Sequence, residues 1–195
     1  MEKLSQPCVI LSGGKSSRMG KNKALLPFGQ FLTLAEYQYM RLSAIFDNVY
    51  LSCKESAIFD FDANFIEDEE EIFAPTIAIS TAFKELYAHE IFFITVDTPF
   101  VSQQAIHTII NSKNDQAEAF IAQTPKGTHN LVGLYRESIL PTIEALDAVK
   151  NYRLSALLDK VETQYITFDD EDEFLNLNTK EEYERALELY KQKTS

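Results

Sequence analysis

The sequence feature that most constrains the fold is the run IFFITV at residues 91–96. Its residues are mainly β-branched or aromatic, and apolar and polar side chains do not alternate along it. The run therefore predicts a strand that is covered on both faces. Such strands are typical of a mostly parallel sheet with helices packed on each side.

The rest of the chain alternates between predicted strands and predicted helices. Further strands are predicted at 8–11, 49–51, 65–66, 119–122, 131–135 and 165–168, and helices at 33–46, 77–87, 102–111, 137–149, 154–160 and from Thr179. This order predicts an α/β fold, a Rossmann-like three-layer α/β/α sandwich with a mostly parallel, mixed central sheet. We expect a single domain over residues 1–195, with Met40 and Tyr87 on apolar helix faces.

The charge and composition exclude some classes of function. The chain carries 18 basic and 30 acidic side chains, a net charge of −12, and so repels the phosphates of nucleic acid. Two cysteines, Cys8 and Cys53, cannot build a disulfide framework and lack metal-ligand spacing. No apolar run approaches the roughly 20 residues that span a bilayer, and no signal-peptide pattern is present. We therefore expect a cytoplasmic protein that binds neither nucleic acid nor membrane.

Basic residues concentrate near the start of this acidic chain. The first 30 residues contain five basic residues and one acid, and four of the five fall within 15–23. Gly13 and Gly14 precede them, directly after the first predicted strand, where glycine lets backbone N–H groups approach phosphate. The segment predicts an anion site, although the same composition is typical of a solvated loop. The Walker loop is excluded because Val9 stands where it requires glycine.

A second candidate site follows the strand at 91–96. Asp97 comes directly after this apolar strand, and ligands of doubly wound folds bind beyond the carboxyl ends of the strands. A carboxylate there suits a divalent cation that meets phosphates. The alternative is that Asp97 caps a turn before Pro99.

Three motifs together resemble a known family. Residues 11–23 read LSGGxSxRMGxxK and resemble the signature loop of nucleotidyltransferases of the nucleotide-diphospho-sugar transferase fold. Asp97-x-Pro99-Phe100 resembles the metal-binding strand end of those enzymes. Residues 176–182, NLNTKEE, resemble the C-terminal element of one branch, the molybdenum cofactor guanylyltransferases. Motif order and spacing agree with that branch over nearly the whole chain.

This resemblance implies an enzyme that transfers GMP from GTP to the terminal phosphate of molybdenum-bound molybdopterin and releases pyrophosphate. Mg²⁺ is the implied cofactor. GTP and the molybdopterin cofactor are the implied partners, together with transient protein partners in cofactor delivery. Reaction between two phosphates brings several negative charges together, so catalysis depends on positioning and charge neutralisation and requires no side-chain nucleophile.

The resemblance also implies roles for individual residues. Leu11, Ser12, Gly13 and Gly14 would bind the nucleotide, the first three on the guanine and ribose side. Arg18 would hold the leaving pyrophosphate, Lys23 would bind phosphate, and Asp97 would hold Mg²⁺. Asp68 would contact the nucleotide, and Asn176 and Asn178 would lie near the pterin.

Departures from the family pattern leave other functions open. Residues 74–78 read APTIA where the family commonly has G-P-L-[AG]-G, and Lys54 stands where it often has asparagine. One alternative is another nucleotidyltransferase of the same fold that uses CTP or a sugar phosphate. A second is a non-catalytic nucleotide-binding adaptor. We interpret His129 as a turn or surface histidine, with a place at the acceptor site as the alternative, and the acidic run 169–173 as solvated surface.

Overall fold

A mixed sheet forms the centre of the fold. The computed structural model describes residues 2–12, 22–67 and 74–194. The strands in these ranges are β1 (Cys8–Leu11), β2 (Val49–Cys53), β3 (Asn64–Glu67), β4 (Glu90–Thr95), β5 (Ala119–Thr124), β6 (Gly127–Arg136) and β7 (Thr163–Thr167). They form one sheet in the order β3-β2-β1-β4-β6-β5-β7, in which β6 runs antiparallel to both neighbours and all other pairs are parallel. The predicted mixed, mostly parallel sheet is confirmed.

Helices cover both faces of this sheet. They are α1 (Leu34–Ser43), α2 (Pro75–Leu86), α3 (Gln103–Asn111), α4 (Leu140–Ala148), α5 (Leu154–Leu158) and α6 (Lys180–Thr194), with short 3-10 helices that include Lys23–Leu25. Side chains of α1, α3 and α6 share a core cluster on one face of the sheet, and those of α2, α4 and α5 share a cluster on the other. The three-layer α/β/α sandwich predicted from the sequence is therefore confirmed.

Strand β4 is the inner element that the run IFFITV predicts. Phe92 and Ile94 lie in the cluster with α1, Ile91 and Phe93 lie in the cluster with α2, and all four side chains are fully buried. Burial of a large apolar side chain stabilises the fold by about 1.5–3 kcal/mol. The absence of alternation in the sequence thus has a direct cause, because helices pack against both faces of this strand.

Two predicted core residues are instead exposed. Met40 on α1 is 55% exposed, and Tyr87 at the end of α2 is 89% exposed. Tyr87 has a left-handed backbone conformation, with φ 48°, and its N–H caps α2 by donating to the carbonyl of Phe83. Its place in the helix-ending turn takes the ring off the apolar face, where Ile79 and Ala82 are buried.

The connections between strands create a crevice between β1 and β4. From β1 to β2 the chain runs through α1 on one face, and from β3 to β4 it runs through α2 on the opposite face. Because β1 and β4 are neighbours in the sheet, the chain changes face between them. In open α/β sheets, ligands bind at the carboxyl ends of the strands at such a point. No helix among the described residues is long and apolar enough to cross a membrane.

Candidate active site

Lys23, Asp97 and Asn178 meet at the carboxyl ends of β1 and β4. The ammonium Nζ of Lys23 donates to Asp97 Oδ2 at 3.1 Å and to Asn178 Oδ1 at 2.7 Å. The side chains of Lys23 and Asp97 are 17% and 18% exposed, so solvent reaches the ion pair without surrounding it. Each residue comes from a different one of the three motifs in the sequence. The structure therefore brings one residue of each motif to the same place.

A short helical turn directs Lys23 into this site. Lys23 begins the 3-10 helix Lys23–Leu25, and the preceding Asn22 caps it by accepting from the backbone N–H of Ala24 at 3.0 Å. Ala24 is fully buried, which anchors the turn in the core. A capped, anchored turn fixes the backbone from which the lysine stem extends.

A buried polar network holds the segment that carries Asp97. The carboxamide of Gln38 is fully buried and donates to the carbonyls of Thr95 and Thr98 at 3.0 and 3.1 Å. The guanidinium of Arg41 donates to Gln38 Oε1 through Nε and Nη2, at 3.0 and 2.7 Å, and to the carbonyl of Val101. These bonds give acceptor carbonyls at the last residue of β4 and in the segment after it buried donors. They fix the backbone on both sides of Asp97.

The sequence interpretation missed Gln38 and Arg41, although a signal was present. Gln38 lies midway between Leu34 and Leu42 at a spacing of four residues, and both leucines are fully buried. A polar residue in the middle of an apolar helical stripe must find hydrogen-bond partners when the stripe is buried. This position therefore indicates a polar network in the core.

Leu11 and Ser12 lie on the β1 side of the same crevice. Leu11 is 6% exposed and pairs in register with Ser52 of β2 and Thr95 of β4. The N–H and hydroxyl of Ser12 both donate to the carbonyl of Ser52, at 3.0 and 2.7 Å. The structure thus places both residues at the predicted strand end. Their contacts with the nucleotide stay a prediction.

Asn176 lies in the loop before α6, close in sequence to the Lys23 partner Asn178. Its carboxamide oxygen is buried and has no hydrogen-bond partner among the described residues. A buried acceptor without a donor is costly, so a ligand with N–H groups would gain by meeting it. The adjacent N–H of Leu177 donates to the carbonyl of Asp97 at 2.9 Å, which ties this loop to the strand end.

The carboxylate of Asp97 fits a Mg²⁺ ion that is bound by the protein and by phosphate together. Within the described ranges, no group of three or more His, Cys, Asp or Glu side chains could hold a metal ion. Mg²⁺ commonly binds through one or two carboxylates together with substrate phosphates, and it prefers oxygen ligands. Asp97 supplies such a carboxylate.

The two cysteines are buried thiols with no nucleophilic character. Burial, with a smaller contribution from Glu67, raises the pKa of Cys53 to about 11, and burial also raises the pKa of Cys8. The thiolate is the reactive form of cysteine, and because both pKa values are raised, neither thiol ionises at neutral pH. Cys53, at 5% exposure, packs as a small buried hydrophobe.

His129 is interpreted from the sequence as a turn or surface histidine, and residues 169–173 as solvated surface. The structure differs at both places. His129 lies within β6, stacks on Phe174 at 4.9 Å, and has its Nε2 3.1 Å from Thr124 Oγ1. Burial lowers the pKa of His129, an effect that the charge of Glu171 opposes. Glu173 accepts from the N–H of Ser102 at 2.9 Å, so the run at 169–173 does more than contact solvent. It ties the last loop to the start of α3.

Four predicted site residues lie outside the described residues. Gly13, Gly14, Arg18 and Asp68 fall between residues 12 and 22 or between residues 67 and 74. Their predicted roles stay predictions. Lys54 and residues 74–78, where the sequence departs from the family pattern, follow β2 and begin α2.

Comparison with known proteins agrees with the motifs. The family model described as the MobA-like NTP transferase domain matches residues 8–164. The chain is 40% identical over 192 residues to a molybdenum cofactor guanylyltransferase of Helicobacter pylori, covering 95% of this chain and 94% of the relative. It is 34% identical over 180 residues to a protein of the same name from Campylobacter jejuni, covering 91% and 93%.

A solved structure supports the fold independently. A crystal structure of molybdopterin-guanine dinucleotide biosynthesis protein A from Archaeoglobus fulgidus superimposes with a TM-score of 0.81. It is 20% identical, and the likeness covers 96% of this chain and all of that one. At this identity the likeness shows the fold alone. The family model and the sequence relatives confirm the family resemblance carried by the three motifs.

Proposed function

Because the chain belongs to the family of MobA-like NTP transferases, we propose that it transfers GMP from GTP to molybdenum-bound molybdopterin and releases pyrophosphate. The observation that carries this proposal is the meeting of Lys23, Asp97 and Asn178 at the crevice between β1 and β4. A lysine ammonium beside a carboxylate at this point is suited to a metal-bound triphosphate.

The proposed reaction is a displacement at phosphorus. An oxygen of the terminal phosphate of molybdopterin forms a bond to the α-phosphorus of GTP. The bond from that phosphorus to the oxygen bridging to the β-phosphate breaks, and pyrophosphate leaves with the electron pair. The attacking oxygen is already ionised at neutral pH, so no general base is needed. The chain has to position the two reactants and offset their charge.

Each named residue has one task in this proposal. Lys23 neutralises a phosphate of GTP, and Asp97 holds Mg²⁺. When bound, Mg²⁺ supplies positive charge to the phosphate oxygens. Arg18 holds the leaving pyrophosphate. Leu11, Ser12, Gly13, Gly14 and Asp68 form the nucleotide side of the site.

The acceptor side is proposed to lie at the loop before α6. The buried carboxamide oxygen of Asn176 supports this placement, because it lacks a donor among the described residues and a pterin ring carries several N–H donors. We further propose transient protein partners that deliver the cofactor, and a place in the cytoplasm. The free thiols of Cys8 and Cys53 are compatible with that reducing compartment.

An assay with each of the four nucleoside triphosphates, Mg²⁺ and molybdopterin tests the proposal. We expect pyrophosphate release with GTP alone and none when molybdopterin is omitted. Equal or faster release with CTP would overturn the guanine assignment in favour of a cytidylyltransferase. No release with any nucleotide, in a chain that still binds GTP, would favour a non-catalytic adaptor.

Two variants connect the assay to the site. Lys23→Met and Asp97→Asn each remove one charge of the pair and should lower turnover about 100-fold or more, as loss of a key electrostatic group does in other enzymes. Folding of both variants is checked by circular dichroism. Turnover within twofold of wild type in either variant would remove that residue from the proposed site.

A further inference from the structure

We infer that Asn178 is a positioning residue that acts through Lys23, and that it makes the start of α6 part of the phosphate site. The family resemblance implies a place for Asn178 near the pterin. In the structure the carboxamide oxygen of Asn178 lies 2.7 Å from Lys23 Nζ, nearer than Asp97 Oδ2, which lies 3.1 Å from the same nitrogen. The inference rests on the proposed function, in which Lys23 binds the triphosphate.

A neutral partner suits the task of orienting this lysine. Lysine has a long, adaptable stem and three donors on one nitrogen, so its ammonium needs fixed acceptors to hold one position. Asp97 fixes Lys23 but also offsets its charge. The carboxamide of Asn178 fixes the ammonium and leaves its charge available for phosphate. If Asp97 turns to Mg²⁺, Asn178 stays as the acceptor that keeps Lys23 in place.

Asn178 is itself held by the cap of α6. Its backbone N–H donates to Glu182 Oε2 at 2.7 Å and to the carbonyl of Asn176 at 3.0 Å. The same carboxylate oxygen accepts from the N–H of Thr179 at 2.8 Å, and Thr179 Oγ1 accepts from the N–H of Glu182 at 3.2 Å. This reciprocal capping box determines where the Asn178 side chain begins.

Helix α6 also holds the segment that follows Lys23. The hydroxyl of Tyr183 donates to the carbonyl of Pro27, and the ring of Tyr190 packs edge-on against Phe28 at 5.3 Å. Through Leu177, the loop before α6 bonds to the backbone of Asp97. Residues 177–190 therefore contact Lys23, the chain that follows it and the backbone carbonyl of Asp97.

A double-mutant cycle separates positioning from substrate contact. The variants are Lys23→Met, Asn178→Ala and the two combined, each measured for the Kd of GTP and for kcat and KM. We expect Asn178→Ala to weaken GTP binding roughly 10-fold, within the range of couplings measured between contacting residues. In the Lys23→Met background the same change should have no further effect. The KM for molybdopterin should stay within twofold of wild type.

A conservative variant and a helix control sharpen the test. Asn178→Asp keeps an acceptor beside Lys23 but adds a negative charge, so we expect a folded protein whose GTP binding is impaired. Ala186 is fully buried on α6, eight residues after Asn178, and Ala186→Gly weakens the helix without removing the carboxamide. It should lower the Tm and leave the Kd of GTP within twofold of wild type.

The outcomes distinguish this inference from the proposed function. Additive losses in the cycle, or a raised KM for molybdopterin in Asn178→Ala, would show direct substrate contact and overturn the positioning role. Equal losses of GTP affinity in Ala186→Gly and Asn178→Ala would show that Asn178 affects binding only through the stability of α6, and would overturn the positioning role. If Lys23→Met binds GTP as tightly as wild type, the proposed role of Lys23 fails, and the inference fails with it.

Discussion

Lys23 joins stretches of the chain that are far apart in sequence. It contacts Asp97, 74 positions later, and Asn178, 155 positions later. The pair with Asp97 is mostly shielded, so salt screens it less than it screens a fully exposed pair. The side chain of Lys23, which follows β1 in the sequence, therefore contacts the segment after β4 and the segment before α6.

Charge reversal at Lys23 should weaken GTP binding far more than charge reversal elsewhere. Lys23→Glu removes the ammonium and places a second carboxylate beside Asp97, so we expect a loss of affinity of about 30-fold or more. Lys191→Glu makes the same change in charge at an exposed position on α6 and should alter affinity less than threefold. Titration calorimetry with Mg²⁺ and GTP measures both. Similar losses in the two variants would mean that long-range charge, and not the site, governs binding.

Strand β4 connects the site at its carboxyl end to an ionic cluster at its start. Glu90 accepts from Lys113 at 2.8 Å and from Arg136 of β6 at 3.1 Å, and Arg136 also donates to the carbonyl of Ala117 at 2.7 Å. Burial alone would raise the pKa of Glu90, but the hydrogen bonds and charges of these two partners outweigh it and lower the pKa. The cluster thereby fastens the one antiparallel strand of the described sheet.

The stability that Glu90 contributes should depend on pH with a definite sign. Folding lowers the pKa of Glu90, so its carboxylate stabilises the protein at pH values above the ordinary pKa of 4.5. This contribution is lost as the pH falls through the lowered pKa. Glu90→Gln should cost about 1 kcal/mol at pH 7, and its difference from wild type should shrink below pH 4.5. Urea unfolding at a series of pH values measures this. A difference that grows toward acid pH would contradict it.

The contact of α6 with the loop after Lys23 depends on a glycine. Gly29 has φ +60°, and a Cβ there would lie 2.2 Å from Cε1 of Tyr190. Gly29→Ala should lower the free energy of unfolding by about 2 kcal/mol, from backbone strain and overpacking together. In a Tyr190→Ala background the steric part should vanish and only the backbone part should remain. Equal costs in both backgrounds, by urea unfolding, would exclude the clash.

At the scale of the whole molecule, the proposed function requires an acidic chain to bind a small polyanion. The net charge of −12 repels GTP at long range. In the proposed function the Lys23 ammonium acts at short range, where its contact with phosphate exceeds the screened repulsion. The charge therefore opposes extended polyanions while it permits one compact, metal-bound triphosphate.

Bound nucleotide should raise the thermal stability of the whole protein. With Mg²⁺ and GTP at about 100 times the Kd, the free energy of unfolding rises by about 2.7 kcal/mol, which means a Tm increase of roughly 5 °C or more for a chain of this size. Differential scanning fluorimetry measures the increase. ATP at the same concentration should give a smaller one, and Lys23→Met should abolish it. Equal increases with all four nucleotides would count against base selection by this site.

Part of the site followed from local patterns. The strand before Asp97 and the helix after Asn178 are encoded by the residues within each element, and the structure confirms both. The prediction was wrong for Tyr87, which lies in the turn that ends α2, and for Met40, which lies on the solvent side of α1. The roles of Gly13, Gly14, Arg18 and Asp68, and the single domain over 1–195, stay predictions.

The sequence by itself determined the family, the three-layer α/β architecture and which polar residues stand at strand ends, because hydrophobic period, capping and motif spacing are local properties. The tertiary structure alone decided that Asn178 meets Lys23 and that Gln38 and Arg41 hold the segment around Asp97. These contacts join residues from different layers of the fold. Their partners depend on strand order and helix packing, which no local pattern in the chain records.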